Sequence, residues 1–221
     1  MTRGIFITGT DTGVGKTYVT ALLLAELRRR GVKAAAFKPI ACGAGGRNDA
    51  RLYRRLMDDE VTVDAINPVF LREPLAPSVA AALENTRIDV RRIVAAYRRL
   101  ARLYDILLVE GAGGLMVPIK RGYFVADLAK QLRLTVLIVA RLGLGTINHS
   151  VLTVNQARAC GLKIAGLVLS DMSRGRSLAK KTNPRVLPGL CGVPVLGVVP
   201  YRGNDVKVIC RKLFGDAGVF E

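Results

Sequence analysis

Short apolar runs alternate with longer stretches of helical periodicity along most of the chain. Gly4-Ile5-Phe6-Ile7 opens the series as a strand, and Tyr18–Leu27 follows it as a helix. Gly31 is placed to end that helix as its C′ residue. Val32–Pro39 reads as a second strand. A glycine-rich loop, Gly43 to Gly46, then leads to Asn48-Asp49 and a short helix, while Val61–Pro77 reads as irregular and proline-rich. Helical periodicity resumes through Val79–Leu83 and Val90–Leu103. Four near-continuous apolar runs, Asp105–Gly111, Thr135–Ala140, Lys163–Leu169 and Val195–Val199, look like strands buried on both faces.

Such βαβα alternation predicts a mostly parallel sheet flanked by helices on both faces. No linker or shift of composition divides the chain, so residues 1–221 are expected to form a single domain. In open α/β sheets, ligands bind beyond the C-terminal ends of the strands. The polar residues that follow each predicted strand are therefore the candidates for chemistry.

After the first strand comes Gly9-Thr10-Asp11-Thr12-Gly13-Val14-Gly15-Lys16-Thr17. A strand, a glycine loop, Lys-Thr and a helix describe a phosphate cradle, in which backbone N–H groups point at anionic oxygens. Lys16 would add charge near a transferable phosphate, and the Thr17 hydroxyl would ligate Mg²⁺. Five residues, not the common four, separate Gly9 from Gly15, which suggests one branch of the P-loop NTPases.

Lys38 follows the second strand, Asp49 the second loop, and Glu110-Gly111-Ala112-Gly113-Gly114 the central strand. Glu110 has the position of a Walker-B acid and, with Thr17 and Asp49, would complete the protein side of a Mg²⁺ site. Capping or a structural bond to nearby backbone is the plainer role for Glu110, and helix N-capping competes for Asp49. Lys38, held before Pro39, would neutralise phosphate charge or steady an anionic intermediate; a lone lysine there would be a snorkelling edge residue. The single histidine, His149, begins a predicted helix and reads as a capping or interface residue, since no arranged Ser or Cys accompanies it.

Composition narrows this little. Half of the residues are hydrophobic and 5% aromatic. No apolar run is long enough to span a bilayer and no leader pattern is visible, so a soluble cytoplasmic protein is expected. The four cysteines lack CxxC spacing; Cys160, Cys191 and Cys210 read as buried thiols, and Cys42 as part of a polar loop. The net charge of +17 invites a nucleic-acid reading. Much of it lies at Arg28-Arg29-Arg30, Arg91-Arg92 and Arg98-Arg99, on helices whose other face is apolar. These are read as solvated faces, with no aromatic interleaving to favour nucleic acid.

Six segments together resemble the dethiobiotin synthetase family: the loop Gly9–Thr17, Lys38-Pro39-Ile40-Ala41-Cys42-Gly43, Asn48-Asp49, Glu110–Gly114, Gly143–His149 and Val195–Pro200. They run in family order across nearly the whole chain. The resemblance implies a nucleotide- and Mg²⁺-dependent ligase that closes a ureido ring on 7,8-diaminononanoate with CO₂ and ATP, through a carbamate and a carbamic–phosphoric anhydride. It implies catalytic roles for Thr12, Lys16 and Lys38, and metal contacts by Thr17, Asp49 and Glu110. Nucleotide contacts would come from Gly13, Val14, Gly15, Lys16, Thr17, Tyr18, Asp49, Glu110, Gly111, Ala112 and Gly113. The base and ribose would meet Ser170, Asp171, Pro200, Tyr201 and Arg202. Substrate would touch Thr12, Lys38, Cys42, Gly145, Thr146 and Asn148, the last three across the interface of a homodimer.

Two positions depart from the family. Cys42 stands where a serine is often found, and a thiol is the weaker hydrogen-bond partner. Ser170-Asp171 stands where an asparagine often recognises adenine, which predicts relaxed nucleotide preference. The competing readings are a ParA- or MinD-like partitioning ATPase, a cobyrinate-type amidase and a catalytically retired binding module. The first would carry a lysine where Asp11 stands; the second usually has a further glutamine-hydrolysing domain. The third sits poorly with Lys16, Thr17, Lys38, Asp49 and Glu110 all in place.

Overall fold

Arg3–Gly9 form β1, and its apolar residues Ile5, Phe6 and Ile7 are buried, as in the middle of a parallel sheet. The computed structural model describes residues 3–43 and 45–215. Ala44 of the predicted glycine-rich loop, and both ends of the predicted 1–221 domain, lie outside them. After β1 come α1 (Lys16–Arg29), β2 (Ala34–Phe37), β3 (Ile40–Cys42) and α2 (Gly46–Leu56). Next are α3 (Val63–Ile66), β4 (Val69–Leu71), α4 (Pro77–Leu83), α5 (Val90–Ala101) and the long strand β5 (Ile106–Gly114). Then follow β6 (Pro118–Lys120), β7 (Tyr123–Phe124), α6 (Val125–Gln131), β8 (Thr135–Arg141) and α7 (Thr146–Ala159). The last are β9 (Ile164–Ser170), α8 (Leu178–Cys191), β10 (Val195–Val199) and α9 (Lys207–Phe214).

Six of these strands form the central sheet in the order β10-β9-β8-β1-β5-β2, and every pairing in it is parallel. The chain leaves β1 towards the β5–β2 side and later crosses back to β8, so the order reverses around β1. A ligand crevice forms at such a point. Register then sets the chemistry: Phe37 pairs with Val109, so Lys38, just past the end of β2, stands beside Glu110 in β5. Ile7 pairs with Glu110 on the other edge of β5, which brings the acid to the root of the Gly9–Thr17 loop.

Helices flank the sheet, α1 burying Val19, Leu23, Leu24 and Leu27 at helical spacing. Arg30 is its C-cap and Gly31 takes φ 77°, as expected for a C′ glycine. No helix among the described residues is long and apolar enough to cross a membrane.

Several expectations need correction. The 61–77 segment holds α3 and β4, the latter pairing in parallel with β3 to make a separate two-stranded ribbon; both elements are too short to show a period in sequence. β5 continues beyond Glu110 to Gly114, so the acid lies inside the strand. Cys42 ends strand β3, outside any polar loop. Cys160 is only half-buried and accepts a hydrogen bond from Gln156 Nε2. Arg28 and Arg30 are not solvated: Arg28 binds Asp58 and Glu60, and Arg30 binds Glu26. Arg91, Arg92, Arg98 and Arg99 are exposed, as expected.

Candidate active site

The Gly9–Thr17 loop turns on glycines that no other residue replaces easily. Gly15 takes φ 95° as the N-cap of α1, and a Cβ there would meet Ser170 Oγ at 2.5 Å. Asp11 fixes the loop's outer bend: its carboxylate accepts from the Thr12 N–H (2.7 Å) and from Arg141 at the end of β8 (3.1 Å). Its backbone carbonyl accepts from Lys16 Nζ at 3.0 Å. Lys16 is buried. Burial pulls its pKa from 10.5 down to about 8, against an upward pull from Glu110.

Lys38 is clamped through its own backbone. Its N–H donates to Ile66 O (2.9 Å), and its carbonyl accepts from Asn67 Nδ2 (2.9 Å). Its side chain, 9% exposed, reaches Glu110 Oε1 at 2.6 Å and Asp49 Oδ2 at 2.9 Å. Burial opposes the charge on Lys38, but Glu110 and Asp49 outweigh it and hold the pKa above the ordinary value. Neither the edge-residue role for Lys38 nor the capping role for Asp49 fits this geometry. Asp49 lies within the first turn of α2, whose N-cap is Gly45, and turns its carboxylate to the ammonium.

Thr17 Oγ1 donates towards Glu110 Oε1 (2.9 Å) and Asp49 Oδ2 (3.2 Å). The Lys38 ammonium and the Thr17 hydroxyl thus share the same two carboxylate oxygens, Glu110 Oε1 and Asp49 Oδ2. No cluster of three or more His, Cys, Asp or Glu side chains occurs among the described residues. A metal using Thr17, Asp49 and Glu110 would therefore draw its further ligands from phosphate and water, the usual habit of Mg²⁺.

A cavity of ≈ 730 Å³ joins these parts. Thr12, Gly13, Gly15, Lys16, Thr17 and Tyr18 line one side, with Lys38, Cys42, Asp49, Glu110, Ala112 and Gly113 opposite or beside them. Burial, then the charge of Glu84, pushes the Cys42 thiol up to about 11, so it presents a neutral S–H. The other predicted positions stand apart. Val14 and Gly111 are buried beneath the loop and strand. Ser170 is 1% exposed and gives its hydroxyl to Met172 Sδ, while Asp171 is paired with Lys180. Pro200, Tyr201 and Arg202 form a turn beyond β10, tied to α1 by Tyr18 OH donating to Gly203 O at 2.8 Å.

A second cavity of ≈ 390 Å³ lies on the far side of Thr10–Thr12, against Leu115, Met116 and α7. It meets α7 at Leu152, Thr153 and Gln156. Gly145, Thr146 and Asn148 line neither space within the chain; Thr146 is buried against Ser150, and Gly145 and Asn148 are exposed. His149 lies in the first turn of α7, its Nδ1 buried without a partner.

Tyr53 is the contributor that sequence reading missed. It is fully buried and its hydroxyl donates to Glu110 Oε2. Burial first, and Glu110 next, hold that phenol well above its ordinary pKa. It stands four residues after Asp49 on α2, the spacing that puts two side chains on one helix face.

A family model described as an AAA domain matches residues 3–205. The protein named ATP-dependent dethiobiotin synthetase BioD of Akkermansia muciniphila is 43% identical over 213 residues, 96% of this chain and 99% of that one. The chain belongs to the dethiobiotin synthetase family. Its namesake in Bacillus subtilis (strain 168) is 38% identical over 208 residues, 93% of this chain and 90% of that one. Among solved structures, MinD of Pyrococcus horikoshii complexed with Mg-ADP superposes with a TM-score of 0.63 at 21% identity, covering 96% of this chain and 86% of that one. The ParA family ATPase of Chlorobium tepidum TLS does so at 0.56 and 13%, covering 99% and 91%. At those identities the two ATPases share the fold alone with the dethiobiotin synthetase family.

Proposed function

We propose that this chain is an ATP-dependent dethiobiotin synthetase. It would close a ureido ring on 7,8-diaminononanoate with CO₂, acting in the cytoplasm as a homodimer. The observation that carries this reading is the constellation of Lys38, Asp49, Glu110 and Thr17 around one point, next to Lys16 in a shared cavity. A nucleotide switch needs a phosphate cradle and a metal. A second, buried lysine suits a reaction with its own anionic intermediate.

One substrate amine adds to CO₂ to give a carbamate. A carbamate oxygen then takes the γ-phosphoryl group, releasing ADP, and the second amine attacks the carbamoyl carbon and expels phosphate. Lys16 and the loop N–H groups hold the triphosphate, and Lys38 offsets the carbamate charge. Mg²⁺ held by Thr17, Asp49 and Glu110 would neutralise charge on the terminal phosphates. Thr12 and Cys42 border the region where the diamine would lie; Gly145, Thr146 and Asn148 would hold its carboxylate across the dimer, at a helix N-terminus. Ser170, Asp171, Pro200, Tyr201 and Arg202 would surround the nucleoside.

Incubation with diaminononanoate, bicarbonate, Mg²⁺ and ATP should yield the cyclic urea with one ADP per ring. Nucleotide hydrolysis stimulated by DNA, without any cyclic urea, would replace this reading with that of a partitioning ATPase.

A further inference from the structure

The loop between β9 and α8 is drawn into a ring by one ammonium group. Lys180 Nζ donates to Ser173 O (2.7 Å), to Gly175 O (2.9 Å) and to Asp171 Oδ1 (2.8 Å). Those three acceptors use all the donor capacity of a lysine. The Lys180 and Asp171 side chains are only 13% and 15% exposed, so the pairing is shielded from the screening that weakens surface ion pairs. The ring is fixed to the sheet as well, since Asp171 N–H donates to Val199 O (2.8 Å).

Helix electrostatics do not explain a lysine at this place. Lys180 lies in the first turn of α8, three residues after the N-cap Ser177, and no acid accompanies it there. A positive charge at the positive end of a helix is unfavourable. The three acceptors in the preceding loop offset that cost.

Part of what the ring holds in place borders the larger cavity. Met172 borders the larger cavity, and its sulfur lies 2.9 Å from where a Cβ on Gly15 would stand. Arg174 sits over the ring of Tyr201, 5.9 Å from its centroid. The phosphate-binding end of the cavity lies towards β5 and β2, where Lys38, Asp49 and Glu110 gather. A nucleotide whose terminal phosphate points there must direct its nucleoside the other way, past Gly15 and Tyr18 towards the ends of β9 and β10. The 171–177 loop is the rim on that side.

We propose that Lys180 is a positioning residue for nucleotide binding, holding the 171–177 loop as a preformed rim that receives the nucleoside. This rests on the reading that nucleotide occupies the larger cavity. Lys180 touches neither phosphate nor the reacting atoms, so its loss acts on nucleotide affinity and leaves the chemical step alone. A rim that must be ordered at the moment of binding costs affinity.

The test compares the parent chain with Lys180→Met and Lys180→Arg, using a fluorescent ATP analogue for direct binding and cyclic-urea formation for kinetics. Lys180→Met should weaken binding of the analogue and raise KM for ATP by about fivefold, the scale of one net hydrogen bond. The kcat and the KM for diaminononanoate should stay close to the parent's. Lys180→Arg, which keeps charge and several donors, should recover most of the loss. Parent-like nucleotide affinity in Lys180→Met would overturn the rim role while leaving the proposed function standing. A parent chain that binds no ATP analogue would remove both. Equal losses in kcat and in both KM values would mark Lys180 as a general structural residue and overturn the proposal.

Discussion

Lys38 Nζ lies 2.6 Å from Glu110 Oε1 and 2.9 Å from Asp49 Oδ2, with Thr17 Oγ1 bonded to the same two oxygens. The ammonium thus holds together two carboxylates that would otherwise repel across a buried gap. It binds a carboxylate oxygen of each of the two candidate acidic metal ligands, so cation and metal would compete for the same oxygens.

Lys38→Met should therefore act twice. Turnover should fall by about 100-fold or more, the usual cost of losing a group aimed at developing charge. The buried Glu110 carboxylate, with the half-buried Asp49 beside it, loses its partner, which destabilises the nucleotide-free protein by about 3 kcal/mol. Added Mg²⁺ should recover part of the lost melting temperature, because it can neutralise the same oxygens. Full ring closure in the variant would remove the role given to Lys38.

Tyr53 makes a different prediction. Its hydroxyl on Glu110 Oε2 fixes the carboxylate so that Oε1 faces Thr17 and Lys38. Tyr53→Phe keeps the ring in the core and orphans one carboxylate oxygen, at a cost of about 1–3 kcal/mol. Half-maximal activity should then require several-fold more Mg²⁺, with the KM for diaminononanoate unchanged. Titrating Mg²⁺ at fixed substrate tests this; an unchanged requirement would show that Glu110 keeps its place unaided.

The elements that sequence made legible are those with long signals. The central strands read as buried apolar runs, and α1 as a periodic helix between a glycine loop and Gly31. The gathering of Lys38, Asp49 and Glu110 was legible because each stands at or near a predicted strand or loop end in a parallel sheet, and register brings such positions together, although β5 runs on past Glu110. Tyr53 was not found, although its i+4 spacing from Asp49 is visible: an aromatic on a short helix is most simply core, and only the fold shows its hydroxyl reaching β5. β4 and α3 were missed because three or four residues cannot display a period. Arg28 looked solvated because its partners Asp58 and Glu60 come from the turn after α2, which only the fold brings beside α1; Arg30 pairs within its own helix end, with Glu26 four residues earlier, a spacing visible in the sequence.

Glu26 supplies a stability test away from the site. It is 8% exposed and bonded to both Arg29 and Arg30. The Arg29 hydrogen bond, helped by Arg30 and opposed by burial, lowers its pKa from 4.5 to about 2. A carboxyl whose folded pKa lies below its unfolded value stabilises the fold above the unfolded value and loses that contribution as pH falls through the folded one. The parent should thus exceed Glu26→Gln in urea resistance at about pH 6, with the gap closing between about pH 4.5 and pH 2. A gap that stays constant over that range would mean that the ionised carboxylate is not what stabilises the parent.

The prediction for nucleotide choice turns on Ser170. Its side chain is too short to pair with a base in the way an amide does. It is also buried beneath Gly15, with its hydroxyl spent on Met172 Sδ. Asp171 is likewise committed, to Lys180. Side-chain groups at this position therefore have little capacity left to tell adenine from guanine or cytosine, whereas Lys16 and the loop, in the role proposed for them, would hold the triphosphate whatever the base. Strong rejection of an analogue needs buried polar groups that it would leave unpaired. ATP, GTP and CTP should accordingly support ring closure with kcat/KM values within about tenfold of one another. Replacing Ser170 with asparagine should not sharpen the preference unless Met172 is also shortened, since the sulfur and Gly15 occupy the space an amide needs. Measuring kcat/KM for the three nucleotides on the parent chain decides the first point, and a strict requirement for ATP would show that backbone groups near Pro200 and Tyr201 read the base on their own.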